Sequence, residues 1–330
     1  MADILVLAEM VDGELQNSAK ELFQAAGKLS NQTGNIVSAI LMGPNAITQS
    51  EIAIQFGAQK VYTMTNSEFD SGNRDYYMSA LLNINEIVKP SAILCSKTPL
   101  GKEVAPRLAY RLGVGVAQDC LDVTADHKTG RVTVTRPVYG GNAIAKFKFS
   151  TNDPQIIIIR ENIFEPLSQD MNRTGKVTNL NFDLKTVELK SRLIETVKEP
   201  KEGVQLDEAH VVIGGGRGLG GPEPFEQLEE LARLFGGAVG ASRAVCDAGW
   251  LDHSYQIGLT GKTVAPDLYI TIGISGASQH MAGCSASKTI VAINRDPDAN
   301  IFKMADYGVI GDWEQILPTF TEAVRDLLAE

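Results

Sequence analysis

The sequence has few cysteines, and none of them lie close together. Cys95, Cys120, Cys246 and Cys284 are widely spaced, with no Cys-x-x-Cys pair among them. Zinc ribbons and cysteine-held iron–sulfur clusters need closely spaced thiolates. The sequence therefore predicts no metal or cluster site of this kind. We expect all four side chains to be reduced thiols in the protein core.

A surplus of basic residues and a long apolar segment are also missing. The 30 Lys and Arg residues are outnumbered by 40 Asp and Glu residues, which gives a formal net charge of −10. Nucleic acids and anionic membranes are bound by clustered Lys and Arg, so we expect neither as a partner. No stretch has the length of a membrane span, and Met1-Ala2-Asp3 leads into a strand without a signal peptide. These features predict a cytoplasmic protein that does not insert into a membrane.

Aromatic residues are scarce at 6%, whereas glycine is abundant with 31 residues. This balance is typical of α/β chains with many tight turns between strands and helices. A length of 330 residues favours two domains. The polar, charge-rich stretch Leu193–Ala209, interrupted by Pro200 and Gly203, is the best linker candidate. We therefore predict an N-terminal domain over residues 1–199 and a C-terminal domain over residues 200–330.

The first half of the chain predicts strands that alternate with helices, which indicates a mainly parallel sheet. The predicted strands are Asp3–Glu9, Asn35–Met42, Lys60–Met64 and Ala92–Ser96, and the predicted helices are Glu14–Leu29, Ile47–Phe56, Tyr76–Val88 and Gly101–Leu112. After Gly113 the pattern predicts strands joined without helices, at Asp119–Thr124, Arg131–Arg136, Ala143–Phe149 and Gln155–Arg160. We expect these to extend the sheet in antiparallel fashion. The first domain is thus predicted to be Rossmann-like α/β with added antiparallel strands.

The second half predicts a separate, doubly wound α/β domain. Its predicted strands are His210–Ile213, Ala238–Ser242, Leu268–Ile274, Thr289–Asn294 and Tyr307–Gly311. Polar residues stand at or just past the ends of these strands, namely Arg217, Ser242, Arg243, Ser275, Asn294 and Asp312. In an open parallel sheet the carboxyl ends of the strands share one edge, and ligands bind in the crevice there. The sequence therefore predicts a ligand site at this edge.

The residues leave the choice of ligand open. Gly216-x-Gly218-x-x-Gly221 satisfies a dinucleotide fingerprint, which is a weak signal in a glycine-rich run. The second strand ends in Ser242-Arg243 where an NAD site would need an acidic residue, but Arg243 could accept the extra phosphate of NADP. Ser275–Ser278 opens a predicted helix whose free N–H groups suit a pyrophosphate. We find no Ser–His–Asp or Cys–His arrangement for catalysis and no set of metal ligands around His280.

Several longer motifs of the second half resemble the FAD-binding half of the electron transfer flavoprotein α subunit. They occur in the family's order and comprise GGRGL at 215–219, GASRAVCDAG at 240–249, TGK at 260–262, LYITIGIS at 268–275, GASQHMAG at 276–283, SKTIVAINRDP at 287–297 and IFKMADYG at 301–308. The first half resembles the family's amino-terminal domain in layout. The resemblance implies an electron carrier that forms an obligate heterodimer with a β subunit, on which residues 1–199 would pack. It would accept electrons from flavoprotein dehydrogenases such as acyl-CoA dehydrogenases, or from NADH, and pass them to a downstream oxidoreductase.

The resemblance also implies the residues that contact FAD. It places Arg243 over the reactive region of the flavin, the Thr260 hydroxyl near N5, and a donor from His280 near the N1–C2=O end. The other implied contacts are Arg217, Ser242, Ile257, Gly258, Leu259, Ser275, Gly276, Ala277, Ser278, Gln279, Asn294, Asp312 and Trp313. Leu259 departs from the family pattern, which usually has Gln at this position.

Two alternatives remain beside the electron carrier. An NADP-dependent reductase would use the glycine-rich turn at 214–221 together with Arg243. A nucleotide-sensing or scaffold subunit would bind the cofactor without redox turnover. Within the carrier class, the sequence does not separate a simple carrier from a bifurcating one, because a second FAD would belong to the β subunit.

Overall fold

Two α/β units make up the chain, each with its own parallel sheet. The computed structural model describes residues 2–141, 143–150, 153–189, 191, 193–195, 204–206 and 208–329. The first unit comprises Met1–Val138 and Ala143–Val197, and the second comprises Tyr139–Asn142 and Lys198–Glu330. The domain boundary predicted at Pro200 lies outside the described residues.

A seven-stranded parallel sheet forms the centre of the first unit, as far as its residues are described. Its strands lie in the order β12-β5-β4-β1-β6-β11-β7. Their bounds are β1 Asp3–Leu7, β4 Ile36–Met42, β5 Lys60–Met64, β6 Ala92–Ser96, β7 Val116–Cys120, β11 Gln155–Ile159 and β12 Lys176–Asn179. A short hairpin of β2 Met10–Val11 and β3 Glu14–Leu15 follows β1.

Helices cover both faces of this sheet, which explains why its central strands are continuous apolar runs. The helices are α1 Asn17–Thr33, α2 Ala46–Gln55, α3 Arg74–Val88 and α4 Pro99–Leu112. Alternate residues of β1 enter different cores: Ile4 packs in the core that contains Phe23 of α1, and Leu5 packs with Leu81 of α3. Helix α4 begins after Thr98, whose hydroxyl accepts the N–H of Gly101, and ends at Gly113, which has a φ of 65°.

The antiparallel strands of the first unit form a sheet of their own. Strands β8 Asp122–Ala125, β9 Val132–Val138 and β10 Ala143–Lys148 pair in antiparallel fashion, in the order β10-β9-β8. The expectation that all four late strands extend the main sheet in antiparallel fashion is therefore wrong. Gln155–Ile159 instead lies parallel between β6 and β7. Its five residues are buried without alternation, which is the pattern of a strand covered on both faces.

The described part of the second unit contains a five-stranded parallel sheet in the order β14-β13-β15-β16-β17. The strands are β13 Val211–Gly215, β14 Ala238–Ala241, β15 Leu268–Ile272, β16 Thr289–Asn294 and β17 Tyr307–Ile310. The helices are α5 Phe225–Leu234, α6 Arg243–Asp247, α7 Ser278–Met281 and α8 Trp313–Ala329. Numbered within the unit, the strand order is 2-1-3-4-5, one of the common orders of doubly wound sheets. The predicted two-domain α/β class is confirmed.

Different elements pack against the two faces of the second sheet. One core joins Ile213 and Ile270 of the strands to Leu228 of α5 and Leu317 of α8. The core on the opposite face joins Val212, Tyr269 and Ile290 to Ile257 and Met281, which lie on a loop and on α7. The loop and short helix on this second face also approach the carboxyl edge of the sheet.

All four cysteines lie in the described ranges, and each is free and buried. The predicted reduced core thiols are thus confirmed. Within the described ranges, no helix is both long and apolar enough to cross a membrane.

A buried carboxyl group lies at the end of β1. Glu9 is 8% exposed, and the Thr98 hydroxyl donates to its Oε1 at 2.6 Å. Burial raises the pKa of Glu9 from 4.5 to about 7. Between these two pH values the folded state therefore binds more protons than the unfolded state. The free energy of unfolding consequently falls as the pH rises to about 7.

We expect Glu9→Gln to remove much of this pH dependence, because the amide keeps an acceptor for Thr98 and cannot ionise. Between about pH 5 and about pH 8, the wild-type free energy of unfolding should fall by about 3 kcal/mol more than that of the variant. Denaturant unfolding at the two pH values measures this difference. Glu51→Gln, at an exposed position of α2, is the control. Equal pH dependence of Glu9→Gln and wild type would contradict the assignment.

Candidate functional site

The second sheet has its topological switch point between β13 and β15. From β13 the chain passes to β14 on one side, and it returns to β15 on the other side. Connections that leave in opposite directions open a crevice at the carboxyl ends of the strands, where ligands bind in sheets of this type. The ends of β13 and β15 are therefore the centre of the candidate site.

Predicted polar residues stand at this edge of the sheet. Arg217 is exposed on a single turn after β13, and Ser242 directly follows β14. Ser275 is exposed three residues after β15 ends, and Asn294 is the last residue of β16. Asp312 is exposed two residues beyond β17. The structure thus places these predicted residues at one edge, as the strand pattern indicates.

The glycine-rich turn packs against the backbone at the end of β15. The N–H of Gly216 donates to Ile272 O at 2.9 Å, and that of Gly218 donates to Gly273 O at 3.1 Å. A Cβ on Gly216 would lie 2.1 Å from Gly273 O. Two N–H groups of the fingerprint are therefore bonded to protein. Helix α5 begins only at Phe225, four residues past Gly221, so the turn lacks the helix start of a dinucleotide fingerprint. The NADP reductase alternative is not favoured.

A loop at residues 256–262, which we call the 256–262 loop, bridges β14 and α7. Ile257 N–H donates to Ala241 O at 2.9 Å, next to the end of β14. Leu259 N–H donates to Gln279 O at 2.8 Å. Gln256 Nε2 donates to the Thr260 hydroxyl oxygen at 2.9 Å. These bonds fix Thr260, an exposed residue, at the tip of the loop.

The segment Ser275–Gln279 brings backbone close to the same edge. Gly276 has a φ of 80°, and a Cβ at this position would lie 2.2 Å from Ile301 N. The N-cap of α7 is Ala277, so Ser275 does not cap the helix. Helix α7 has four residues, so its dipole is small. What the segment offers a ligand is the N–H groups of a first helical turn, which have no acceptor within a helix.

His280 is the most enclosed of the predicted site residues with an ionisable side chain. The residue is 6% exposed, Nδ1 lies 3.1 Å from Ile257 O, and Nε2 lies 2.8 Å from the Tyr269 hydroxyl. Burial lowers the pKa of His280 from 6.5 to about 4, so the ring is neutral at pH 7. Both ring nitrogens have partners inside the protein. Its predicted donation to a flavin stays a prediction.

Other predicted residues are partly engaged by protein groups. The Asn294 amide donates to Ile274 O at 2.9 Å and accepts from Asp296 N–H at 3.0 Å. Asp312 Oδ1 accepts the N–H of Glu314 at 3.1 Å, at the start of α8. Trp313 packs against the core of the second unit. Arg243, with a side chain 67% exposed, pairs through Nε with Asp247 at 3.2 Å.

Sequence reasoning missed two residues that organise the site. Gln256 holds the Thr260 hydroxyl, and Tyr269 holds the ring of His280. Tyr269 is the one aromatic residue in the strand LYITI, and its position on β15 facing α7 could have suggested it. Gln256 lies four residues before Thr260 across a turn, and the sequence carries no comparable signal for it.

Within the described ranges, no group of three His, Cys, Asp or Glu residues could hold a metal ion. A doubly wound sheet with polar residues at its strand ends and close backbone at its switch point defines a nucleotide-binding α/β protein. The second strand is followed by Arg243 where an NAD site would carry a carboxylate, and this suits a flavin nucleotide better than NAD.

Comparison with known proteins identifies the family. Residues 4–185 match the electron transfer flavoprotein domain, and residues 205–285 match the electron transfer flavoprotein FAD-binding domain. The chain is 42% identical over 325 residues to the electron transfer flavoprotein subunit alpha of Thermoanaerobacterium thermosaccharolyticum, covering 98% of both chains. It is 40% identical to that of Bacillus subtilis, with the same coverage. It is 33% identical to the LctC subunit of the lactate dehydrogenase (NAD(+),ferredoxin) of Acetobacterium woodii, covering 96% of this chain and 75% of that one.

The chain therefore belongs to the electron transfer flavoprotein family, as an alpha subunit. It is a flavin-binding electron carrier, and alpha subunits of this family pair with beta subunits. The predicted family and the predicted function are confirmed.

The close approach of Gly276 to Ile301 gives a test of the site's backbone. Gly276→Ala should destabilise the chain by more than the about 1–2 kcal/mol expected for a left-handed residue alone, because the added Cβ meets backbone. Gly220→Ala is a matched control, since Gly220 has a φ of 89° and open space around its Cβ position. Denaturant unfolding of both variants measures the difference. Equal losses would mean that the backbone around Ile301 yields to the added methyl group.

Proposed function

We propose that this chain binds FAD at the carboxyl edge of its second sheet and, paired with a beta subunit, carries electrons between other flavoproteins. The donors would be flavoprotein dehydrogenases, such as acyl-CoA dehydrogenases, or NADH, and the acceptor would be a downstream oxidoreductase. The observation that carries the proposal is the set of polar strand ends around the β13–β15 switch point, in a unit that matches a FAD-binding domain. A cytoplasmic location, expected from the sequence, is part of this proposal.

The residues present fit a flavin nucleotide. A ligand could approach the backbone closely at Gly276, because this residue has no side chain. A Cβ at this position would collide with Ile301 N. A pyrophosphate could accept from the N–H groups of Ser275, Gly276, Ala277 and Ser278, with the Arg217 guanidinium as its counter-charge. Asn294 and Asp312 suit the hydroxyl groups of the ribose and adenosine end. Trp313, which packs against the core, would contribute its apolar surface at that end.

The flavin ring would lie near the 256–262 loop. Ile257 is buried, so it would offer backbone rather than its side chain, and Gly258 has a φ of 148° that suits a tight turn. Leu259 and Gln279 are linked through their backbones, which would hold both side chains at the same border of the ring. Ser242 is the N-cap of α6 and Arg243 is its first residue, and Ala241 just before them forms a bridge with Gln256 of the loop. The apolar Leu259, in place of the usual Gln, removes one polar contact from the ring.

Bound FAD would supply the one-electron and two-electron redox chemistry. The role of the protein is to position the ring and to set its potential. Arg243 would favour the form of the ring that carries negative charge, because a guanidinium nearby stabilises an anion. The Thr260 hydroxyl, whose oxygen already accepts from Gln256, remains able to donate its own proton. It would therefore offer a donor to a ring nitrogen.

The partner of the chain is a beta subunit, on which we propose that the first unit packs. The similarity to LctC, a subunit of an NAD- and ferredoxin-linked enzyme, makes the number of flavins in the complex informative. One FAD per heterodimer would indicate a simple carrier, and two would indicate electron bifurcation.

Purification of the alpha–beta complex tests the proposal directly. We expect a flavin absorbance spectrum, and FAD in the supernatant after denaturation, at one or two molecules per heterodimer. A complex without flavin would overturn the proposal. Binding of NADPH by the chain without flavin would favour the reductase alternative, and a bound flavin that no acyl-CoA dehydrogenase or NADH reduces would favour a scaffold role.

The role of Arg243 gives a quantitative prediction. Arg243→Ala should lower the midpoint potential of the flavin by roughly 60 mV or more, because a charge-assisted contact is worth at least about 1.4 kcal/mol and this equals about 59 mV for one electron. Arg243→Lys should recover part of the loss. Arg233→Ala removes an exposed cation from α5 of the same unit and serves as the control. Potentials from redox titration that are the same in wild type and Arg243→Ala would contradict this role.

A further inference from the structure

Three side chains form a hydrogen-bonded chain that leads from the protein surface to the tip of the 256–262 loop. His253 Nδ1 lies 3.1 Å from Gln256 Oε1, and Gln256 Nε2 lies 2.9 Å from the Thr260 hydroxyl oxygen. His253 and Thr260 are exposed, whereas Gln256 is 4% exposed. The amide of Gln256 is therefore the enclosed link between two groups that solvent can reach. We call these three residues the 253–256–260 chain.

The backbone on both sides of the amide is held in place. Residues 253–255 form a single 3-10 turn, which Asp252 caps through its side chain. Gln256 N–H donates to His253 O at 3.1 Å, and Lys262 N–H donates to Gln256 O at 2.7 Å. A change of direction within the 253–256–260 chain therefore has to take place in the side chains.

Each of the three side chains can both donate and accept. A neutral imidazole nitrogen is a donor in one tautomer and an acceptor in the other, and a hydroxyl is both at once. The amide of Gln256 offers an oxygen at one end and an N–H group at the other. Within the described ranges, no further hydrogen bond determines which way round this amide lies. Two arrangements of the chain therefore satisfy its polar atoms.

In the first arrangement, which the structure shows, the hydrogen bonds run towards Thr260. An amide oxygen only accepts, so His253 Nδ1 donates to Gln256 Oε1. Gln256 Nε2 donates to the Thr260 oxygen. The proton of the Thr260 hydroxyl is then left for a ligand, so Thr260 acts as a donor.

In the second arrangement the amide of Gln256 is turned over. The Thr260 hydroxyl donates to Oε1, and Nε2 donates to a His253 Nδ1 that carries no proton. The imidazole exchanges its Nδ1 proton for one at Nε2 through water, so the chain gains and loses no net proton. The oxygen of Thr260 then presents lone pairs to a ligand, so Thr260 acts as an acceptor.

The ring expected beside Thr260 suits one arrangement in each of its redox states. N5 of an oxidised flavin has a lone pair and accepts a hydrogen bond, whereas N5 of a flavin reduced by two electrons carries a hydrogen and donates one. A contact of the wrong sense would bring two donors or two acceptors face to face, and the hydrogen bond would be lost. A hydroxyl that can change its role avoids this loss.

We propose that His253 is a positioning residue for the flavin site, which acts through Gln256 on the Thr260 hydroxyl, and that the 253–256–260 chain reverses its direction when the flavin is reduced. The proposal rests on the proposed function, since it requires a flavin ring beside Thr260. An exposed imidazole suits the outer end of the chain, because water can bond to Nε2 in either tautomer. A lysine or a carboxylate at this position would support one direction only.

The tautomer of His253 reports the direction of the chain and can be observed by NMR. In the alpha–beta complex with FAD, the alpha chain alone is labelled with ¹⁵N-histidine, and His253 is assigned among the 4 histidines from its loss in His253→Asn. The spectra are compared at a pH at which the nitrogen shifts show a neutral ring. We expect the proton mainly at Nδ1 in the oxidised complex and mainly at Nε2 after reduction by two electrons with dithionite.

Two variants interrupt the chain and serve as controls for this experiment. Gln256→Leu removes the link, and Thr260→Val removes the hydroxyl at an exposed position. In both, the tautomer of His253 should be the same in the oxidised and the reduced complex. His127 and His210, which bond to other groups, are internal controls whose tautomers should not change. A wild-type tautomer that does not depend on the redox state would overturn the proposal, and so would a change that persists in both variants.

Redox titration tests the effect of His253 on the flavin. A lysine can only donate, so His253→Lys should hold Thr260 as a donor and disfavour the reduced ring. Ser254→Lys places the same charge on the exposed neighbouring residue, outside the chain, and is the matched control. We expect the affinity for reduced relative to oxidised flavin to be about tenfold lower in His253→Lys than in this control, which equals about 30 mV for two electrons. His253→Asn, whose amide can donate or accept, should keep the wild-type potential.

The outcomes separate this proposal from the proposed function. Equal potentials in His253→Lys and Ser254→Lys would contradict the positioning role. A complex that binds FAD but shows no change in the His253 tautomer would overturn the positioning role and leave the proposed function intact. A complex without FAD would overturn both.

Discussion

The close crossing of two backbones at the switch point is the constraint on which the second unit depends. Gly216 and Gly218 bond to Ile272 and Gly273, and a Cβ on Gly273 would lie 2.9 Å from Gly218 C. Because no side chain separates these backbones, the turn after β13 lies directly on the end of β15. Arg217 and Ser275 consequently leave their strands at the same edge. The glycine run that resembles a dinucleotide fingerprint is thus required by the protein's own packing.

The parallel sheets could be predicted from the sequence because buried strands leave a simple signal. Uninterrupted apolar runs such as AILCS of β6 and QIIII of β11 are five buried residues long. The separate antiparallel sheet could not be predicted, because the sequence does not show which strands pair with one another. The pattern of β9, with buried and half-buried residues alternating at its start, marks a strand with one covered face. It does not show that this face belongs to another sheet.

The sequence was sufficient to predict which residues of the candidate site stand at the ends of the strands. Arg217, Ser242 and Asn294 stand where the end of each strand must place them, since parallel strands deliver their carboxyl ends to one edge. The partners of His280 were not predictable, because Tyr269 and Ile257 meet its ring only after β15, α7 and the 256–262 loop have packed. Hydrogen bonds between distant segments depend on rotamers and tautomers, for which a single sequence carries no pattern.

The four buried cysteines have a consequence for a protein that handles electrons. Burial raises the pKa of Cys120 and of Cys284 to about 12, and it raises the pKa of Cys95 and Cys246 as well. The thiolate is the form that reacts with oxidants, and these environments suppress it. Oxidation of these four thiols is therefore suppressed, and they do not compete with electron transfer through the flavin.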